Sequence, residues 1–137
     1  MTERSFVDTN ILVYSKDDID PRKQDIAEKL IYDLYKNRSI TISNQVLNEY
    51  ISVMINKFKA PLDRIESHIS TFIEWNPIQM SPEIYETAFE LLRHYKVSTW
   101  DALIIAAAVN SNCKVIYSED LSNGMEYLGV KVVNPFK

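Results

Sequence analysis

Apolar residues recur along this chain with two different periods, and the switches between them predict its elements. Residues 5–8, "SFVD", read as a short strand that ends in an acid, with a helical turn over residues 10–14 behind it. After the polar loop "KDDIDP", Pro21 suits the first turn of a helix to about residue 37, with Ile26, Leu30 and Leu34 at helical spacing. "SITIS" alternates β-branched and polar residues and predicts a strand over 39–43. "NQVLNEYISVMINKF" carries Val46, Tyr50, Ile51, Met54, Ile55 and Phe58 on one helical stripe. Pro61 opens a further helix to about residue 74, and "NPIQM" is a short strand candidate.

In "SPE", Ser81 caps a helix that Pro82 opens and that runs to about Tyr95. "STWDALIIAAAVNSN" is the next helix, with Ser98 three residues before Asp101 in the form of a capping box. "KVIYSED" predicts a strand that again ends in acid, and "VKVVNPF" a last strand. Strands separated by helices require crossover connections, so the chain predicts a doubly wound α/β domain with a mainly parallel sheet flanked by helices. Parallel strands share one carboxyl edge, and ligands bind there, near the switch in strand order.

No repeat, low-complexity tract or Gly/Ser linker interrupts the pattern, and there are only two glycines, so residues 1–137 are expected to form one domain. The 46% hydrophobic and 25% charged composition is that of an ordinary globular protein. "MTERSF" is not followed by the apolar segment of a signal peptide, and the apolar run 103–109 is far too short to span a membrane. Cys113 is the single cysteine, which excludes an internal disulfide and a thiolate cluster and fits a reducing cytoplasm. A net charge of −4 argues against a broad electrostatic grip on nucleic acid, though not against a local basic rim.

Four carboxylates fall on the predicted edge. Asp8 ends the first strand and Asp120 follows the strand "KVIYS"; Glu49 lies about a turn into its helix, and Asp101 stands in the first turn of another. Singly, each has an ordinary reading: an Asx turn, a loop acid, a solvated helix residue, a partner for a helix dipole. Gathered in one cleft they would repel by roughly 4 kcal/mol per close pair, which a fold accepts when a divalent cation sits among them or some are protonated. Oxygen-only ligands select a hard ion, Mg2+ or Mn2+. Zinc does not fit, because His68 and His94 have no partner at ligand spacing, and both are expected on helix surfaces.

"FVDTNILVY", "QVLNEY", "TWDALIIAAA" and "YSEDLSNG" resemble, in order, the acidic motifs of PIN-domain nucleases, and specifically of the small VapC-like toxins of toxin–antitoxin pairs. The resemblance runs from residue 5 to the terminal strand. It implies a 3-2-1-4-5 parallel sheet and metal-dependent cleavage of RNA to 5′-phosphate and 3′-hydroxyl ends. Position by position, the acidic tetrad falls on Asp8, Glu49, Asp101 and Asp120, with Asn10 and Ser118 at the polar positions beside them. Many relatives carry Thr where Ser118 stands, and a serine hydroxyl can orient a carboxylate similarly.

The chemistry that fits is phosphodiester hydrolysis by activated water, with Asp8, Asp101 and Asp120 as metal ligands and Glu49 holding or deprotonating the water. Lys16, Arg22, Lys23, Lys57 and Lys59 are candidates to grip flanking phosphates, or else a solvated charged surface. Trp100 is a candidate to stack on a base, or to pack in the core or a subunit contact. A haloacid-dehalogenase-like phosphotransferase would need an acid where Asn10 stands. A receiver domain would need one at the end of "NPIQM". A PIN fold serving as an inactive binding module, and a nuclease outside any toxin pair, remain open. The resemblance further implies a small antitoxin partner and a homodimer, for which the aliphatic helices could spare an apolar face.

Overall fold

The computed structural model describes residues 3–137. In chain order the elements are β1 (Arg4–Val7), α1 (Thr9–Lys16), α2 (Pro21–Lys36), β2 (Ile40–Thr41), α3 (Asn44–Asn56), α4 (Leu62–Ile73), α5 (Pro82–His94), α6 (Thr99–Asn110), β3 (Cys113–Tyr117), β4 (Glu126–Tyr127) and β5 (Val130–Val133). They form an α/β domain around one sheet of order β2-β1-β3-β5-β4. β2, β1, β3 and β5 run parallel, and β4 pairs antiparallel with β5. Beyond β2 the order continues in a single parallel bridge from Ser43 to Ile78. The spatial order of the expected segments is therefore the one the resemblance implied.

Three details depart from expectation. "NPIQM" is one bridge, not a strand: Asn76 takes a left-handed φ of 54° and Pro77 has no N–H, so pairing is limited to Ile78. Leu128 and Gly129 both have positive φ and make the tight turn of a β4–β5 hairpin that the sequence did not announce. On α3, Val46, Leu47, Tyr50 and Met54 are buried, whereas Ile55 faces out into an apolar groove against α4, and Phe58 lies past the helix end.

The core is centred on β1, β3 and α6. Phe6, Val7 and Ile116 are fully buried. α6 is apolar nearly all round, with Ala102 and residues 104–108 buried, as expected of a helix covered on every side. It packs against α5, β3 and β5. No described helix is long and apolar enough to cross a membrane. Among the histidines, His94 is exposed, while His68 is half-buried and its Nδ1 lies 2.7 Å from the Tyr50 hydroxyl, joining α4 to α3. His68 is thus part of a helix contact, not a simple surface residue; burial, then the nearby Lys16 and Arg64 charges, lower its pKa.

A candidate acidic centre at the carboxyl edge of the sheet

The parallel ladder delivers its chain ends to one side. Asp8 N–H still donates to Tyr117 O (3.0 Å) and Ser118 N–H to Val133 O (3.0 Å), so these residues stand at the last rungs, where strands give way to loops and helices. Asp8 is the N-cap of α1, with Oδ1 accepting from Thr9 N–H at 2.8 Å. The bond goes to the next residue and not to the N–H two residues on, so Asp8 caps the helix without forming an Asx turn, and the cap does not exhaust its surroundings. Its Oδ2 accepts from the fully buried Ser118 hydroxyl at 2.8 Å, across 110 residues of sequence.

Ser118 Oγ also accepts from the N–H groups of Asp120 (3.1 Å) and Leu121 (3.2 Å), shaping the loop after β3. Asn10 works from the opposite side. Its Oδ1 accepts from Glu119 N–H (3.0 Å), and its Nδ2 donates to Asp120 Oδ2 (3.1 Å). Asn10 and Ser118 together tie the ends of β1 and β3, so that Asp8 and Asp120 face one region.

Glu49 reaches this region from α3. Oε2 accepts from the Thr9 hydroxyl at 2.9 Å and Oε1 from Gln45 Nε2 at 3.0 Å, one helical turn earlier. Gln45 Nε2 donates also to the Trp100 carbonyl (3.1 Å), which links α3 to the start of α6. There Ser98 caps the helix, accepting from the Asp101 N–H at 3.1 Å. Thr9 and Gln45 were not singled out from the sequence. The available signals were the Thr of "DTN" and the i, i+4 spacing in "QVLNE".

The electrostatics join the four acids. Asp8 is pushed up to about 6, first by burial and then by the charges of Glu49 and Asp120, against the lowering bonds from Ser118 and Thr9. Asp101 is raised by burial, relieved by Ser98, and raised again by Asp120 and Glu49. Yet among the described residues no three Asp, Glu, His or Cys side chains form a ready-made metal cluster. The expectation of acids converging on a single point needs that correction. Asp8 and Asp120 share a donor, Asn10 Nδ2, at 3.4 and 3.1 Å from their Oδ2 atoms, while Glu49 is held separately by Thr9 and Gln45. The donor set, oxygen throughout and short of positive charge, fits a hard divalent ion.

Two clefts flank Glu49. One of about 480 Å³ is lined by Thr9, Asn10, Tyr14, Lys57, Phe58 and Asp120 among others. The second, about 610 Å³, includes Gln45, Asn48, Met80, Tyr85 and Trp100. Trp100 is 67% exposed, so it is not a core residue. Lys57 borders the acidic cleft, whereas Lys16 lines a separate aromatic groove between α2 and α4. Lys59 is exposed beyond α3. Arg22 and Lys23 do not themselves line the clefts: Arg22 Nη2 donates to Phe136 O (2.7 Å), and the Lys23 ammonium is bound by Glu119, which borders the first cleft. Both side chains are thus engaged within the fold, whereas the sequence offered them as free cations for phosphate.

A family model described as PIN domain matches residues 5–122. Among solved structures, the chain is similar to the Mycobacterium tuberculosis toxin VapC20, described as cleaving the sarcin–ricin loop, at 19% identity and TM-score 0.65, over 85% of this chain and 89% of that one. VapBC2 from Rickettsia felis, bound to a promoter DNA fragment, matches at 20% identity and TM-score 0.66 over 93% and 96% of the two chains. A toxin–antitoxin complex from Klebsiella pneumoniae matches at 20% identity and TM-score 0.58 over 96% and 97%. At such identities these likenesses establish the fold. A comparison with curated proteins returned no match. The match over residues 5–122 places the chain in the PIN-domain family.

Proposed function

We propose that this PIN-domain chain is an endoribonuclease that hydrolyses RNA phosphodiester bonds with Mg2+ or Mn2+, and that it is the toxin of a toxin–antitoxin pair. The observation that carries the reading is the buried Asp8 carboxyl, held in the field of Glu49 and Asp120 at the edge where Asp101 also stands. Such an arrangement is unfavourable unless positive charge completes it.

Asp8, Asp101 and Asp120 would hold the ion, which when bound neutralises charge on the phosphate and makes water a better nucleophile. Glu49 orients the attacking water and accepts its proton, with Thr9 and Gln45 fixing the carboxylate. Ser118 and Asn10 hold Asp8 and Asp120 in register. Lys57 contacts a phosphate of the RNA and Trp100 stacks on a base from the opposite cleft.

The test is cleavage of RNA by the purified chain and by Asp101→Asn, with and without EDTA. Metal-dependent cleavage lost in the variant is expected. Cleavage that survives EDTA and the substitution would remove the metal reading, and no cleavage by wild type with either ion would leave an inactive binding module.

The structural neighbours that are toxin–antitoxin complexes support an antitoxin partner for this chain. A short adjacent reading frame for a DNA-binding protein is expected; its absence would point to a nuclease outside any pair. The apolar groove of Ile51, Ile55, Leu62, Ile69 and Ile73 offers surface beyond the needs of a monomer and supports a homodimer. A monomer mass at sedimentation equilibrium would reject that assembly. We further place the protein in the cytoplasm, where its buried single thiol stays reduced. Activity confined to an exported fraction would contradict this.

A further inference from the structure

The loop after β3 carries three polar residues that point three ways. Ser118 turns inward to Asp8, and Asp120 turns toward the acids, where its side chain is held by Asn10. Glu119 borders the same cleft of about 480 Å³, and neither of its oxygens is free. Oε1 accepts from the Tyr14 hydroxyl at 2.7 Å, and Oε2 is bound by the Lys23 ammonium. Lys23 itself is flanked by two rings. Its ammonium lies 4.9 Å from the Tyr14 ring centroid and 5.4 Å from that of Phe136, and the two rings meet edge to face at 5.1 Å. One residue earlier, Arg22 holds the Phe136 carbonyl at 2.7 Å, closing the C-terminal segment over the cluster.

This is not an ordinary surface pair. Lys29 and Asp33, at 3.5 Å, have side chains 78% and 52% exposed, and such a contact contributes little. The side chains of Lys23 and Glu119 are 25% and 24% exposed and are fixed at both ends. The cluster joins α1, α2, the C-terminal segment and the β3 loop at the residue preceding Asp120. It also neutralises an acid one residue from Asp120 that lines the same cleft.

We propose that Glu119, clamped by Lys23 and Tyr14, is a positioning residue for Asp120, and that Lys23 serves the acidic centre from inside the fold instead of binding RNA. This rests on the metal-dependent reading above. With the clamp broken, Asp120 keeps its bond from Asn10 but its loop loses the outer anchor, and an unpaired Glu119 is free to move.

The experiment measures Mn2+ binding by calorimetry, together with kcat and KM for RNA, in wild type, Lys23→Met, Glu119→Gln, the double variant, Lys23→Arg and the remote control Lys29→Met. Lys23→Met and Glu119→Gln are expected to weaken Mn2+ binding by about 10-fold, the lower end of what loss of a partner of a metal ligand costs. They should lower kcat by a similar factor with KM unchanged. The double variant should be no worse than the weaker single, because the two act as one unit. Lys23→Arg, which keeps charge and ring contacts, should stay within about threefold of wild type.

Mn2+ affinity equal to wild type in both single variants would overturn the proposal even if they melt earlier. So would a raised KM at constant kcat in Lys23→Met, which would make Lys23 an RNA contact after all. Wild type that binds no Mn2+ is a different failure: it removes the metal reading of the site. Should Lys23→Met not fold, Glu119→Gln and Lys23→Arg decide alone, with a wild-type-like Glu119→Gln counting against the clamp.

Discussion

Asp8 does two things that pull against each other. As the N-cap of α1 it satisfies Thr9 N–H and fits the partial positive charge of a helix start. As a buried acid beside Glu49 and Asp120, it is pushed up to about 6 from the 3.8 usual for an aspartate. A folded-state pKa above the unfolded one means that the proton stabilises the fold. That contribution is complete below about pH 4 and is lost as pH rises through about 6. At neutral pH the ionised carboxylate therefore costs the metal-free protein up to about 3 kcal/mol. Asp8→Asn removes the charge while weakening the bond from Ser118, so we expect a net gain of about 1–2 kcal/mol at pH 7, a flatter stability profile between pH 4 and 7, and no RNA cleavage. Thermal melts of the metal-free variant across that range, paired with an RNA assay, check all three. A variant that melts below wild type at pH 7, or still cleaves, would contradict the account of this residue.

At the scale of elements, the caps connect secondary structure to the candidate site unequally. Ser98 and Ser81 each cap a helix through the N–H three residues on, at 3.1 and 3.3 Å. Replacing either by Ala should cost about 1 kcal/mol, a few degrees in melting temperature for a chain of this size. Only at Ser98 is the donor the backbone of Asp101. Ser98→Ala should therefore reduce both stability and Mg2+-dependent turnover, and Ser81→Ala stability alone. Equal turnover in the two variants would separate the cap from the site.

Both caps were legible in the sequence because capping is local: a hydroxyl, a Pro or an acid at fixed offsets suffices. The core helices and parallel strands were legible for the same reason, since their periods are written within a dozen residues. The β4–β5 hairpin was not, because its turn places Leu128 at positive φ without the usual Asn-Gly signal. Nor was the role of Glu119, whose partners Tyr14 and Lys23 lie 105 and 96 residues away. The four acids could be assigned to one edge by topology. The sharing of Asn10 by Asp8 and Asp120, and the holding of Glu49 by Thr9, could not, since they depend on side-chain contacts between distant segments. Lys23 and Arg22 appeared as free cations for the same reason.

For the molecule as a whole, the distribution of charge limits how it can hold a polyanion. The net charge is −4, and of the residues lining the two clefts beside Glu49, Lys57 is the only cation. Each phosphate contact on single-stranded nucleic acid contributes about −0.7 to the slope of log affinity against log salt. A protein that gripped RNA through a basic face would show a slope of about −4 or steeper. Here, with one cleft lysine per chain and base stacking on Trp100 that salt does not screen, the slope should be no steeper than about −2 per chain. The uncleaving Asp8→Asn variant allows binding to be titrated from about 50 to 200 mM salt without loss of substrate. Over that range affinity should fall by no more than about 20-fold, and Trp100→Ala should weaken binding while leaving the slope unchanged. A steep slope abolished by neutralising Lys16, on the far groove, and Arg64, which donates to the Lys16 carbonyl, would mean that RNA lies on another face. The acidic edge would then have to be reached by only a short displaced segment of it.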